Sequence, residues 1–323
     1  MKQISFSEAE FNGKKRVTRR EKLLTELDGR IPWSTLVAEI EPFYPKPGNG
    51  RPPIGLERML RMYVIQQVLG LSDEGTEDAI YDMQSVRRFV GVDLSFESAP
   101  DATTLLKFRR LLERHRLTKK MFKAINQELA RQGLLLRGGT VVDATLLAAA
   151  PSTKNKANAR DPEMKQTKKG NQWYFGAKAH IGADVVTGLV HSIAATAASE
   201  SDVAHVHEVL HGEEEIVFAD AGYTGAEKRP ELQHRSDLDW QIAERRGLIK
   251  ALPEDNLVRL EAEAIERRKA SIRAPVEHAF QVLKCRFGYR KVRYRGIAKN
   301  ESQLYALFGL VNVVLAGRWL PAT

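Results

Sequence analysis

Two short apolar runs, each closed by an aspartate, constrain the chain most. Gly139-Thr-Val-Val-Asp-Ala-Thr145 and Ile216-Val-Phe-Ala-Asp220 are nearly continuous in apolar and β-branched residues. A strand with one face in water alternates polar and apolar residues, whereas one without alternation is covered on both faces. Both runs therefore predict buried strands in a sheet flanked by helices, ending on Asp143 and Asp220. Ligand sites in such sheets lie at strand ends.

The rest of the second half fits around these strands. Residues 172–183 read as a strand on which Gly176, Lys178 and His180 oppose Phe175, Ala177 and Ala179. Residues 184–188 form a turn and 189–198 the hairpin partner. Residues 202–210 suit a helix capped by Ser201. Gly222 and Gly225 turn the chain after the second run, and 237–244 give another strand. Then come a charged helix at 257–269, a second helix at 271–287, a basic loop at 288–299 and an apolar helix at 301–315. Residues 151–172, with Lys154, Lys156, Arg160, Lys165, Lys168 and Lys169, are too polar to pack and predict a mobile loop or arm. The order of elements implies an α+β or α/β fold with a mixed sheet between helices.

The pattern changes after Gln132-Gly133. Residues 1–130 predict a helical domain and 131–323 the sheet domain. Leu23, Leu24 and Leu27 sit at helical spacing, a Pro/Gly-rich break covers 42–53, and an apolar face from Leu56 to Leu69 stops at Gly70. Ser72 caps an acidic helix at 72–83, and Pro100-Asp101 opens a basic one that runs to Arg116. Such a bundle serves DNA binding or dimerisation.

Charge narrows the partner. The chain carries a formal net charge of +9, and residues 267–299 alone hold eleven Lys or Arg against one acid, Glu277. Basicity that is so localised favours nucleic acid. No apolar run is long enough to span a bilayer, and the N-terminus lacks the apolar core of a signal peptide. The single cysteine, Cys285, excludes an intrachain disulfide and fits a reducing cytoplasm.

Glu277 lies within Ser271-Ile-Arg-Ala-Pro-Val-Glu-His-Ala-Phe-Gln-Val-Leu-Lys284. On a regular helix Arg273, Glu277 and Lys284 fall within about 40° of one another. Val276, Ala279, Phe280, Leu283 and Phe287 form the adjoining buried stripe. Asp143, Asp220 and Glu277 are 77 and 57 residues apart, so only the fold can join them. Joined, three carboxylates can hold two Mg²⁺ ions about 3.5–4 Å apart, the arrangement that serves phosphodiester chemistry, with Mn²⁺ as a substitute. Taken singly, each aspartate reads first as a strand-end turn former. Lys284, Arg286, Arg290, Arg293 and Arg295, with Tyr289 and Tyr294 between them, suit a DNA-backbone track. Lys178 and His180 either contact phosphate or hydrogen-bond within the sheet. His207-Glu-Val-Leu-His211 matches a zinc-hydrolase motif, but Gly212 ends the helix at once and the extended H-E-x-x-H-x-x-G-x-x-H form is absent.

These motifs resemble a family. Arg273-x3-Glu277-x6-Lys284 is similar to the core of the Y-(2)-R-(3)-E-(6)-K signature of bacterial insertion-sequence DDE transposases. Thr140-Val-Val-Asp143 and Val217-Phe-Ala-Asp-Ala-Gly-Tyr223 resemble its two aspartate motifs. Trp173-Tyr-Phe-Gly-Ala-Lys-Ala-His180, Phe287-Gly-Tyr-Arg-Lys-Val-Arg-Tyr-Arg-Gly296, Arg51-Pro-Pro-Ile and Pro100-Asp-Ala-Thr-Thr extend the likeness over most of the chain. The resemblance implies an RNase H-like domain with Asp143, Asp220 and Glu277 as catalytic, metal-binding triad. It implies double-stranded DNA as partner (terminal inverted repeats and target), 3′-hydroxyl strand transfer, at least a homodimer, and a cytoplasmic, nucleoid-associated location. One position departs: Ala270 stands where the signature has tyrosine. Two other functions remain open, a catalytically inactive DNA-binding relative and a zinc hydrolase acting through His207 and His211.

Overall fold

The computed structural model describes residues 11–50, 52–156, 158–253 and 257–320. Residues 1–10, on which the signal-peptide expectation falls, lie outside them, as does Arg51 of the Arg51-Pro-Pro-Ile motif. The chain divides into two compact units, one running through Ile125, the other Asn126–Trp319. No helix among the described residues is long and apolar enough to cross a membrane.

The first unit is helical: α1 (Arg19–Arg30), α2 (Trp33–Ile40), α3 (Leu56–Leu69), α4 (Asp73–Asp82), α5 (Gln84–Val90) and α6 (Ala102–Arg114). Their ends follow capping chemistry. Thr18 and Glu21 form a reciprocal capping box on α1. The Ser72 hydroxyl accepts from Gly75 N at 2.9 Å to start α4, and Asp101 accepts from Thr104 N at 2.6 Å to start α6. Gly70, at φ +66°, closes α3 in the left-handed conformation that a side chain disfavours. Arg109, buried on α6, grips Asp73 on α4 with both guanidinium nitrogens. Lys107, Arg110 and Arg114 stay on the exposed side of α6. Helix α7 spans Leu117–Arg131.

The second unit is built on six strands: β1 (Gly139–Ala148), β2 (Lys165–Lys169), β3 (Gln172–Asp184), β4 (Val190–Ala197), β5 (Ile216–Ala219) and β6 (Asp239–Ile242). The sheet runs β2-β3-β1-β5-β6, with β4 also paired to β3. β1 and β3 are antiparallel, whereas β1, β5 and β6 are parallel neighbours. The two apolar runs are thus adjacent central strands, and Val141, Val142, Val217 and Ala219 have no exposed surface.

Both faces are covered, as the apolar runs require. On one face Val142, Val217 and Ala219 meet Val206, Val209 and Tyr223. The segment 202–210 that supplies this cover is a 3₁₀ helix, Asp202–Val209, and the Ser201 side chain does not cap it. On the other face lie α9 (Leu257–Gln281), which packs on β1 and β5, and α10 (Ile297–Ala316), which packs on β4. Short α8 (Arg246–Lys250) precedes α9. A buried amide pair fixes α10: Asn312 Nδ2 donates to Asn126 Oδ1 at 2.8 Å and to Val190 O at 2.6 Å.

Three expectations change. The polar segment 151–172 contains strand β2, paired residue for residue with β3 from Lys165↔Gly176 to Lys169↔Gln172. Backbone hydrogen bonds, not burial, hold it. Its two acids also tie the segment down: Asp161 Oδ2 accepts from Gly296 N at 2.7 Å and Glu163 Oε2 from Ile297 N at 2.8 Å, capping α10 from a distance. The two helices expected at 257–269 and 271–287 are one helix, α9, uninterrupted at Ala270 and carrying Pro275 inside. Finally, α9 ends in a π-helical turn, Val282–Arg286, closed by Phe287 N donating to Val282 O at 2.9 Å.

Candidate active site

The register of β1 and β5 brings the two aspartates together. Val141 pairs with Phe218, and Asp143 and Asp220 each lie two residues further along. Two residues is one strand repeat, so both side chains leave the sheet on the same side. β5 ends at Ala219, whereas β1 does not end on Asp143, as the apolar run suggested, but continues to Ala148. Asp220 caps the turn that follows, accepting from Gly222 N at 2.9 Å. Asp143 Oδ1 accepts from Ala144 N at 2.7 Å.

The electrostatics agree. Burial raises the Asp143 carboxyl, the Ala144 N–H opposes it, and the charges of Asp220 and Asp202 raise it further, to about 6, against the pull of Arg273. Tyr223, 1% exposed, lies in the field of Asp202, Asp143 and Asp220, and its phenol is pushed well above the usual range, first by burial. Neither Tyr223 Oη nor Arg273 Nε, both buried, has a hydrogen-bond partner among the described residues. A buried polar group left unpaired costs about 1–3 kcal/mol. An under-neutralised Asp143 beside Asp220, with Tyr223 Oη and Arg273 Nε nearby, forms a polar site made for a guest.

Helix α9 lies across β1 and β5. It is seated closely: a Cβ on Gly188, whose φ is +71°, would stand 2.8 Å from Pro275 O. Arg273 is half-buried on this helix and Glu277, one turn on, is exposed. Among the described residues no three His, Cys, Asp or Glu side chains stand close enough together to hold one metal ion. The structure thus pairs Asp143 with Asp220 and sets Glu277 on the covering helix, outside that pair.

Lys284 lies in the π turn that ends α9, not on a regular helical turn. It docks on β1, its Nζ donating to Thr145 Oγ1 at 2.6 Å and to Leu146 O at 3.0 Å. Burial, with Lys169 and Arg290 nearby, lowers its pKa. Ala270 lines a cavity of about 430 Å³ with Arg246, Glu266 and Arg273.

The other expected contacts divide. Arg286, Arg290, Arg293 and Arg295 are exposed, in a segment that runs beside the end of β1, where Ala148 bridges Lys291. Tyr289 is core instead, 2% exposed. Lys178 turns to Asp202 at 2.9 Å and Glu200 O at 2.7 Å, and His180 is buried against Thr196 at 2.8 Å. Of their two expected roles, the hydrogen-bonding one is the one adopted. The zinc motif loses its geometry: the 3₁₀ helix stops at Val209, so His207 and His211 do not share an α-helical face. Asp202 and Tyr223, which share the field of the aspartates, were not anticipated as site residues. Asp202 opens the segment between two recognisable strands, and that position was its only signal.

Residues 135–313 match the family model described as Transposase DDE domain, and residues 11–111 match one described as Transposase domain (DUF772). The chain belongs to the DDE transposase family. The mixed sheet with its flanking helices is the RNase H-like fold of that family. No solved structure matches the chain. DDE transposases act on DNA and generally depend on a divalent metal. Here the Asp143–Asp220 pair fits such a cation: its donors are hard carboxylate oxygens, and burial beside Asp220 and Asp202 leaves the Asp143 charge under-neutralised.

Proposed function

We propose that the chain cuts DNA at the ends of an insertion sequence and joins the freed 3′-hydroxyls to target DNA, with Asp143, Asp220 and Glu277 as catalytic carboxylates. The observation that carries this reading is the register of β1 and β5, which sets Asp143, within β1, beside Asp220, the residue that follows β5. These two residues would hold the divalent cation, Mg²⁺ or Mn²⁺, and Glu277 would complete the set from α9, three carboxylates being enough for two ions. When bound, the metal supplies Lewis-acid charge that stabilises the reacting phosphate and acidifies the attacking water or hydroxyl.

The chain's own residues do the rest. Arg273 supplies a fixed positive charge beside the aspartates, where it favours an anionic phosphate group. Arg286, Arg290, Arg293 and Arg295 hold the flanking backbone, a role their exposure permits. Lys284 braces the end of α9 against β1. The helical unit supplies further DNA binding or dimerisation, and cutting two ends together calls for at least a dimer. The work would be done in the cytoplasm, on nucleoid DNA.

A second reading, a DNA-binding relative without catalysis, draws on the exposure of Glu277 and on Ala270 at the signature tyrosine position. A joining assay decides between them. Pre-cut element ends carrying a 3′-hydroxyl or a 3′-deoxy terminus are mixed with supercoiled plasmid and Mg²⁺. The proposal expects joined products from the 3′-hydroxyl ends alone, and none in EDTA. Binding without joining favours the second reading.

A further inference from the structure

The β2–β3 hairpin is left unexplained by the carboxylate site. β1 pairs with β3 only from Gly176 onwards, so the stretch of β3 before it, with β2, projects as a two-stranded ribbon turning at Gly170-Asn171. Lys165, Lys168 and Lys169 are exposed along it, and none is paired with a carboxylate among the described residues. No acid occurs from Lys165 to Ala183. The nearest preceding acids, Asp161 and Glu163, are committed to the first amides of α10. Trp173 is 65% exposed and stands opposite Lys168 in register. A tryptophan in water between lysines contributes nothing to a core. The ribbon also lies near the aspartates: the charge of Lys169 acts on Lys284, whose Nζ donates to Thr145, two residues beyond Asp143.

An unpaired cationic ribbon with one open aromatic face has the chemistry of a nucleic-acid strand's partner. Ammonium groups track phosphates, and a flat ring stacks on any base freed from its neighbours. We propose that the β2–β3 ribbon binds DNA beside the aspartates, with Lys165, Lys168 and Lys169 on phosphates and Trp173 stacked on an unpaired base. This rests on the reading that the chain acts on DNA.

The test is fluorescence anisotropy with the full chain in EDTA, which separates binding from cutting. One labelled duplex is fully paired; the other carries a single unpaired nucleotide. Trp173→Ala should weaken binding of the second by about tenfold, with an unchanged salt slope and little effect on the first. Trp173→Phe should restore most of the loss. Replacing the three lysines by Ala should weaken both duplexes and lower the salt slope by about two to three. Equal affinity of Trp173→Ala and the parent chain for the second duplex overturns the proposal. So does an equal loss on both duplexes, or an unchanged slope in the lysine variant. Failure of the parent chain to bind either DNA would instead overturn the reading on which the proposal rests.

Discussion

The strained carboxylate at Asp143 makes a quantitative prediction. Folding raises this group from 3.8 to about 6, burial first and the neighbouring acids after it. An acid whose folded pKa lies above its unfolded value destabilises the fold once it must ionise. The penalty is absent below pH about 3.8, grows as pH rises to about 6, and is complete above that. At 1.36 kcal/mol per pH unit it amounts to at most about 3 kcal/mol. Asp143→Asn keeps the shape and removes the charge, so in EDTA at pH 7.5 it should melt roughly 5–10 °C above the parent. At pH 4.5 the gap should shrink by more than half. Millimolar Mg²⁺ should raise the parent and leave the variant where it is, since binding to the native state alone stabilises it. Circular dichroism melts across this range read all three effects. A variant that melts at or below the parent at pH 7.5, or a gap independent of pH, would refute the electrostatic argument.

Two further outcomes follow from single contacts. Asp161→Asn and Glu163→Gln weaken the remote cap on α10, and each should cost about 0.5–2 kcal/mol in urea unfolding, additively within error. Lys284→Met leaves Leu146 O without its charged donor, so stability should fall by about 1–3 kcal/mol in the same unfolding assay. An unchanged midpoint would mean that Lys284 does not brace β1.

The parts of the fold that were legible in sequence are those fixed by burial. Val141, Val142, Val217 and Ala219 admit only strands covered on both faces, and that alone makes Asp143 and Asp220 neighbours. Caps were legible for the same local reason, as Ser72 and Asp101 show. What escaped depends on partners far along the chain. Lys165-Gln-Thr-Lys-Lys169 has no alternation and no apolar residue, and becomes a strand because β3 offers it a backbone edge. The π turn after Gln281 has no sequence signal of its own, because apolar spacing assumes 3.6 residues per turn throughout. Tyr289 reads as a strand-binding aromatic until the fold closes over it. Glu277 was correctly placed on a helix that crosses the central strands, but no sequence pattern could indicate that its side chain would stay exposed.

The central claim is that Asp143, Asp220 and Glu277 work as one metal-dependent centre, and nicking of DNA that carries the element's end tests it most directly. The parent chain and the single variants Asp143→Asn, Asp220→Asn and Glu277→Gln are compared with Mg²⁺, with Mn²⁺ and in EDTA, alongside gel-shift binding. The account predicts cation-dependent nicking by the parent, losses of at least about 100-fold in each variant, and DNA binding retained in all four. Nicking at the parent rate by any one of the three variants would contradict it.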